Sequence, residues 1–378
     1  MRIALLIYGD INTTSGGYLY DRKLVDILRS LGDEVDIISV KKVSYLKALL
    51  SNSIPGELKR YYQTEGQNKK SQLKLDVLIQ DELTHPSFWK INHQLKRRLK
   101  CPIVSLVHLL SSAMPGGYYK KILHQTFERP YLKSVDAIVL NSQETLKQAR
   151  LLLQDKLPSN LVAVPCGNNF ITSEQLVKNE EASKNALTKK LNILFVGNIT
   201  QQKGLHVLVK AMKQLNDTIS LSVVGREDLD PRYIKNIKNY IKINKLNKQI
   251  TFYGQLKEEA LQQKYLEHDL FVLPSMNEAY GIVFIEAMQF SLPVIGCSLS
   301  GAKEIIDEGQ NGFLVDPEDN IKLVELINRL NDDRRLLARM SESARQKYLL
   351  HPTWEESIKK IRKFLQELIK QEGSAFGQ

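Results

Sequence analysis

Short continuous apolar runs alternate along this chain with stretches whose apolar residues recur at helical spacing. The first run, RIALLIY (2–8), is closed by Gly9 and reads as a strand buried on both faces. A polar loop with Gly16 and Gly17 follows. YLYDRKLVDILRSLG then places Leu24, Ile27, Leu28 and Leu31 on one helical face, with Gly32 as the stop and Asp21 and Arg22 opening the helix. EVDIISV is the next strand, and this β-loop-α-β start predicts a doubly wound sheet. Residues 41–73 are less regular. DVLIQ (76–80), PIVSLVH (102–108) and VDAIVLNS (135–142) read as further strands, and LVAVPCGNN (161–169) as a last strand and turn.

A second cycle opens with LNILFVGN (191–198), a strand ending in Gly and Asn, and KGLHVLVKAMKQL (203–215), an amphipathic helix. ISLSVVG, QITFYG, LFVLPS and LPVIGC are short strands at α/β spacing. The last segment is a helix whose Trp354, Ile358, Ile361, Phe364 and Leu365 form an apolar stripe. The expected class is α/β, two Rossmann-like doubly wound domains. Residues 1–172 form the first and 191–350 the second, the polar stretch 173–190 links them, and the helix of 351–378 packs back towards the first.

Composition supports this division. The chain has 378 residues, too many for one ordinary core, with 43% hydrophobic and 25% charged residues, which excludes a disordered chain. Net charge is +11, of which +8 falls in residues 1–180 and +3 in the rest. That balance suits phosphate esters, anionic lipid or nucleic acid, and a plain solubility bias explains it equally well. No motif that reads DNA or RNA is present, so nucleic acid is not expected as a partner. Cys101, Cys166 and Cys297 are few and widely spaced, which implies neither a disulfide framework nor a metal quartet and suits a reducing cytoplasm. The opening apolar run is too short for a signal peptide. No run approaches the roughly 20 residues that span a bilayer, so any membrane contact is expected to be peripheral.

Chemistry concentrates in NEAYGIVFIEAM (277–288). The pattern puts Glu278 in a loop after the strand LFVLPS and starts an amphipathic helix near Gly281. Backbone N–H groups of Gly281, Ile282 and Val283 in the first turn suit a phosphate. Glu286, over one turn on, suits the paired hydroxyls of a ribose, and Glu278 those of a sugar ring. Two acidic residues near a helix start are also what the helix dipole alone favours.

The longer stretch PSMNEAYGIVFIEAMQFSLPVIGCSLSGAKEIIDEGQNGFLV closely resembles the signature of family 4 glycosyltransferases, which have the GT-B fold of two Rossmann-like domains facing a cleft. VGNITQQKGLHVLVKAM, with Gly197, Asn198 and Lys203, resembles the family's strand–loop–helix at the donor diphosphate, and VDAIVLNS, VAVPCGNNF and HPTWEES also match. The resemblance implies that Glu286 holds the donor ribose, Glu278 contacts donor sugar hydroxyls and Lys203 neutralises the leaving diphosphate. Gly16 and Gly17 match a glycine loop near the donor phosphates, and His108 a histidine beside the donor sugar. The family commonly has Arg where this chain has Asn198; Arg226, after the strand SVVG, is the candidate substitute, with a surface arginine as the alternative. A retaining reaction is implied, in which the acceptor hydroxyl attacks on the leaving-group face. Asp228-Leu229-Asp230 has the form of a metal-binding DxD but is read as a loop leading into a helix, so no cofactor and no metal are expected.

The expected activity is transfer of a sugar from a nucleotide-diphosphate sugar, UDP-sugar first and GDP-sugar next, to an unidentified hydroxyl on a lipid or glycan. A nucleotide-sugar epimerase and a non-catalytic or hydrolytic nucleotide-sugar-binding protein are the alternatives. An NAD oxidoreductase is disfavoured because GDINTTSGG is not GxGxxG. Segments 43–63, 94–100 and 118–124 mix basic with aromatic and aliphatic residues. They read either as an anionic membrane contact, on the inner face of the membrane, or as ordinary helices with solvated lysine faces.

Overall fold

The computed structural model describes residues 1–51, 53–62, 73–114, 117–167, 190–276 and 278–375. The chain divides into two units, Met1–Pro165 with Trp354–Gln378, and Cys166–Thr353. Residues 173–189 of the expected linker lie outside the described residues.

The first unit runs β1 (Arg2–Tyr8), α1 (Gly16–Ser30), β2 (Glu34–Val40), α2 (Tyr45–Leu49), β3 (Val77–Asp81), α3 (His85–Phe88), α4 (Asn92–Leu99), β4 (Ile103–Val107), α5 (Tyr118–Ser134), β5 (Ala137–Leu140), α6 (Gln143–Leu153) and β6 (Ser159–Val162). Its strands form one parallel sheet in the order β2-β1-β3-β4-β5-β6. Strands β3, β4 and β5 are buried along their whole length, as continuous apolar runs between two helical layers require.

The second unit runs β7 (Asn192–Val196), α7 (Leu205–Met212), β8 (Ser220–Val224), α8 (Pro231–Ile243), β9 (Ile250–Phe252), α9 (Glu258–Glu267), β10 (Leu270–Leu273), α10 (Ile282–Gln289), β11 (Val294–Cys297), β12 (Gly312–Val315), α11 (Asn320–Asp332) and α12 (Arg334–Leu350). Its parallel sheet has the order β12-β11-β10-β7-β8-β9. The strand order reverses between β7 and β10 here and between β1 and β3 in the first unit. Ligands of doubly wound sheets lie outside the carboxyl ends of the strands at such a reversal.

The final helix, α13 (Trp354–Ala375), belongs to the first unit. Trp354 is buried against Tyr20 with ring centroids 5.4 Å apart. Arg362 donates to both oxygens of Asp33 at 2.7 and 3.1 Å, and the N-terminal ammonium donates to the same carboxylate at 2.8 Å. Burial alone would raise the Asp33 pKa, but these bonds outweigh it and hold the group below its ordinary 3.8.

Four expectations need correction. Helix α1 opens at Gly16 under a Ser15 cap, so Asp21 sits in its second turn with its side chain buried. The last strand of the first sheet spans Ser159–Val162 rather than 161–169. It is an edge strand with exposed Ser159 and Asn160, and Pro165 beyond it has no N–H for a ladder. The helix expected over 203–215 is shorter, preceded by a 3-10 turn at Gln201–Lys203. Helix α10 is not amphipathic: Phe284 to Gln289 are all buried, Glu286 among them.

Candidate active site

Four connections bring the predicted residues of the second unit to the carboxyl edge of its sheet. Gly197, Asn198 and Lys203 follow β7, Arg226 follows β8, and Glu278 lies between β10 and α10; the fourth connection, after β11, brings Gly301, which the sequence reading does not single out. Close backbone contacts fix these loops to one another. The N–H of Met276 donates to the Gln202 carbonyl at 3.0 Å, that of Gly301 to the Glu278 carbonyl at 2.7 Å, and that of Ile199 to the Arg226 carbonyl at 2.9 Å. Glycine is needed at two of the crossings. At Gly204, with φ +72°, a Cβ would lie 2.2 Å from the Pro274 carbonyl oxygen; at Gly301 it would lie 2.3 Å from that of Ala279.

Lys203 and Glu278 form an ion pair through Nζ and Oε1. Residues 75 apart in sequence thus share one site, because the turn before α7 and the loop before α10 flank the strand reversal. Gly281 is the residue before α10, in the left-handed region at φ +95°, and no side chain caps the helix. Ile282 and Val283 form its first turn. Glu286 is buried one turn on and accepts from the Tyr265 hydroxyl at 3.0 Å. Burial, and then the Glu286 charge, push the Tyr265 hydroxyl well above its ordinary pKa, so it remains a donor to that carboxylate.

Arg226 donates from Nε and Nη2 to the two oxygens of Asp228 at 3.0 and 2.6 Å. The guanidinium fork is therefore occupied within its own loop. Asp230 accepts from the Tyr233 N–H at 3.1 Å and caps α8, so both acidic residues of the DxD are engaged in local structure.

In the first unit, Gly16, Gly17 and His108 come together. Gly17 is the second residue of α1, and a Cβ there would lie 3.2 Å from His108 Cδ2. His108 directly follows β4. Its Nε2 lies 3.0 Å from Asp21 Oδ1, and its ring meets Tyr20 edge-on at 5.2 Å. Two further acids lie at the end of β3, Asp81 as its last residue and Glu82 directly after it. Glu82 accepts from the His108 N–H at 2.9 Å, and Asp81 accepts from the Leu83 N–H at 2.8 Å. Burial pushes the His108 pKa down, but Asp21, through charge and hydrogen bond, and then Glu82 and Asp81 outweigh it and lift it from 6.5 to about 9. Burial, then Glu82 and Asp21, push Asp81 well above the ordinary carboxylate range. Glu128 on α5 receives the Ser111 and Ser112 N–H groups at 2.5 and 3.1 Å, and burial raises it to about 6.

Sequence reasoning missed Asp21, Asp81 and Glu82 as members of this group. The run QDE after a buried strand was the available signal for the last two; Asp21 meets His108 across 87 residues of sequence, and no local pattern announces that. Among the described residues, Asp21, Asp81 and His108 bring three potential metal-donor atoms within 4.8 Å of one another. His108 and Asp81 each already have a partner there, and Oδ2 of Asp21 has none.

Elsewhere, a cavity of about 410 Å³ between α7 and α8 is lined by His206, Asp230, Tyr233 and Tyr240 and holds none of the predicted residues. His206 there is held by Tyr233 at 2.8 Å and Glu318 at 2.6 Å. The three cysteines are buried and form no disulfide with one another. No helix among the described residues is long and apolar enough to cross a membrane.

Residues 177–347 match the family described as glycosyl transferases group 1. A D-inositol 3-phosphate glycosyltransferase of Xylanimonas cellulosilytica is 23% identical over 279 residues, 70% of this chain and 67% of that one. The matched stretches span 63%, 67% and 71% of the lengths of three curated relatives. Among solved structures, sucrose-phosphate synthase from Thermosynechococcus elongatus superposes with a TM-score of 0.76 at 22% identity, covering 98% of this chain and 99% of that chain. HepE of Anabaena, in complex with UDP and glucose, gives a TM-score of 0.72 at 16% identity over 97% of this chain and 100% of its own. The fold is GT-B, and the match to the glycosyl transferases group 1 family lies within the second unit.

Proposed function

We propose that this glycosyltransferase is a retaining enzyme of family 4 that moves a hexose from a nucleotide-diphosphate sugar, UDP-sugar first, to a hydroxyl on a lipid or glycan. The observation that carries the reading is the grouping of Lys203, Glu278, the uncapped first turn of α10 and buried Glu286 at the strand reversal of the second sheet. Departure of a nucleoside diphosphate leaves negative charge on phosphate oxygens. A cation and helix-terminal N–H groups fixed beside it stabilise that charge more in the transition state than in the ground state. Lys203 and the N–H groups of Gly281, Ile282 and Val283 are the groups available for this, with Gly197 and Asn198 lining the loop. Glu286, oriented by Tyr265, receives the ribose hydroxyls, and Glu278 exchanges its bond with Lys203 for sugar hydroxyls. Gly16 and Gly17 allow close approach to the donor phosphates. His108, held protonated, donates to the transferred sugar rather than acting as a base near neutral pH. Transfer needs no metal ion, and the protein works in the cytoplasm at the inner face of a membrane.

The UDP and glucose in the HepE complex support a UDP-sugar donor. A hydrolytic or purely nucleotide-sugar-binding role is the second reading. Asn198 in place of a cation, and the closed Arg226–Asp228 pair, favour it. The test is release of nucleoside diphosphate from UDP- and GDP-sugars, with and without a membrane lipid extract and with EDTA present. Release that rises with the extract and withstands EDTA supports metal-independent transfer. Equal release without acceptor supports hydrolysis, and no release with any donor removes the catalytic reading.

A further inference from the structure

The structure separates the three basic, apolar segments noted in the sequence. Segment 94–100 is an ordinary amphipathic helix: Leu95 and Leu99 of α4 are buried in the core and its lysines and arginines face outwards. The other two behave differently. On and beside α2, Leu46 is 64% and Leu50 79% exposed; at the start of α5, Tyr118 is 74% and Tyr119 86% exposed. Ile122, Leu123 and Met114 are also exposed. Isolated exposed apolar residues are normal on any surface, but a contiguous group marks an interface.

The elements that carry these residues meet at Tyr45. The Tyr45 ring meets that of His124 on α5 at 4.6 Å, and its hydroxyl bonds His85 Nε2 on α3 at 3.0 Å, so α2 and the first turns of α5 lie side by side over α3. The elements carry exposed Lys41, Lys42, Lys47, Lys120 and Lys121, and neither 41–50 nor 111–127 contains an acidic residue. The nearest acid on α5, Glu128, is buried and holds the Ser111 and Ser112 N–H groups, so it does not offset the lysines at the surface.

We infer that the α2/α5 face docks on an anionic membrane surface, with Leu46, Leu50, Tyr118 and Tyr119 entering the interface and the five lysines on the lipid headgroups. The chemistry selects this occupant. Lysine-flanked aliphatic and tyrosine side chains match the apolar-to-charged gradient of a bilayer interface, where tyrosine is favoured at headgroup level. A second copy of the chain would set these lysines against their own equivalents. The face stands on the first unit alone, and docking requires no turnover, so its failure and that of the transfer reading are told apart by separate measurements.

The test is co-sedimentation of the full chain with phosphatidylcholine vesicles containing increasing phosphatidylglycerol. Binding is expected to rise with anionic fraction and to fall at high salt. Leu46→Ser/Leu50→Ser/Tyr118→Ser/Tyr119→Ser, and separately the five lysines changed to Gln, are each expected to bind at least tenfold more weakly with an unchanged melting temperature. Equal binding to pure phosphatidylcholine, no binding to any vesicle, or unaltered binding by both variants would overturn the inference. So would a wild-type dimer that the serine variant converts to monomer, since a second copy would then cover the face.

Discussion

The two units present their candidate groups in opposite ways. In the second unit two partly exposed ion pairs, Lys203 with Glu278 and Arg226 with Asp228, lie on the loops near an uncapped helix start, and of the charged groups among the described residues there only Glu286 is buried. In the first, Asp21, Asp81, Glu82 and His108 are all buried, and the histidine carries the compensating charge. An exposed pair costs little to open, so its members are available to a ligand. A buried cluster is costly to disturb and holds its members in one protonation state. Under the proposed function, the contrast gives charge handling to the second unit and fixed orientation to the first.

The largest expected effect follows from removing the cation of the second unit. Lys203→Ala is expected to lower turnover by about 10²- to 10³-fold, the range for loss of one preorganised charge-stabilising group. Steady-state kinetics with the preferred donor would measure it, and a change confined to KM would place Lys203 in ground-state binding alone.

Next comes the buried cluster. The fold keeps the His108 proton up to about pH 9, against an ordinary 6.5. Its contribution to stability is therefore complete below about pH 6.5 and lost as pH rises through 9. Asp21→Asn is expected to bring the His108 pKa, followed by histidine NMR, down towards 6.5, and to lower turnover at pH 8 by roughly tenfold or more through loss of the protonated form. An unmoved pKa would show that Glu82 and Asp81 suffice, and that the pair with Asp21 is only packing.

Tyr265→Phe tests whether Glu286 depends on its buried partner. Loss of one hydrogen bond to a charged group costs about 1.5 kcal/mol or more, so donor affinity is expected to weaken by about tenfold in a calorimetric titration. Arg226→Ala is expected to have the smallest effect, a few-fold loss of turnover, because Asp228 already occupies the guanidinium. Unchanged turnover would remove Arg226 from the diphosphate site.

The same contrast explains what was legible in the sequence. Both sheets were, because buried parallel strands are uninterrupted apolar runs such as IALLI and ILFV. So was the order of Glu278, Gly281 and Glu286, which lie on one connection and one helix. The pairing of Asp21 with His108 was not, because it joins α1 to the residue after β4 across 87 positions of sequence. Helix α10 was misread as amphipathic because Glu286 looks like a solvent-facing residue until Tyr265 is found beside it. Strand β6 was misplaced because an edge strand with Ser159 and Asn160 carries a weaker apolar signal than the loop after it.

Under the proposed function, the carboxyl edge of the second sheet, around α10, is the nucleotide-sugar site. Isothermal titration of UDP into the wild-type chain, Glu286→Ala and Asp21→Asn tests it most directly. Saturable binding to the wild type is expected, with at least tenfold weaker binding to Glu286→Ala and near-wild-type binding to Asp21→Asn. Equal binding of UDP to wild type and Glu286→Ala, or no binding of UDP or GDP to the wild type, would contradict it.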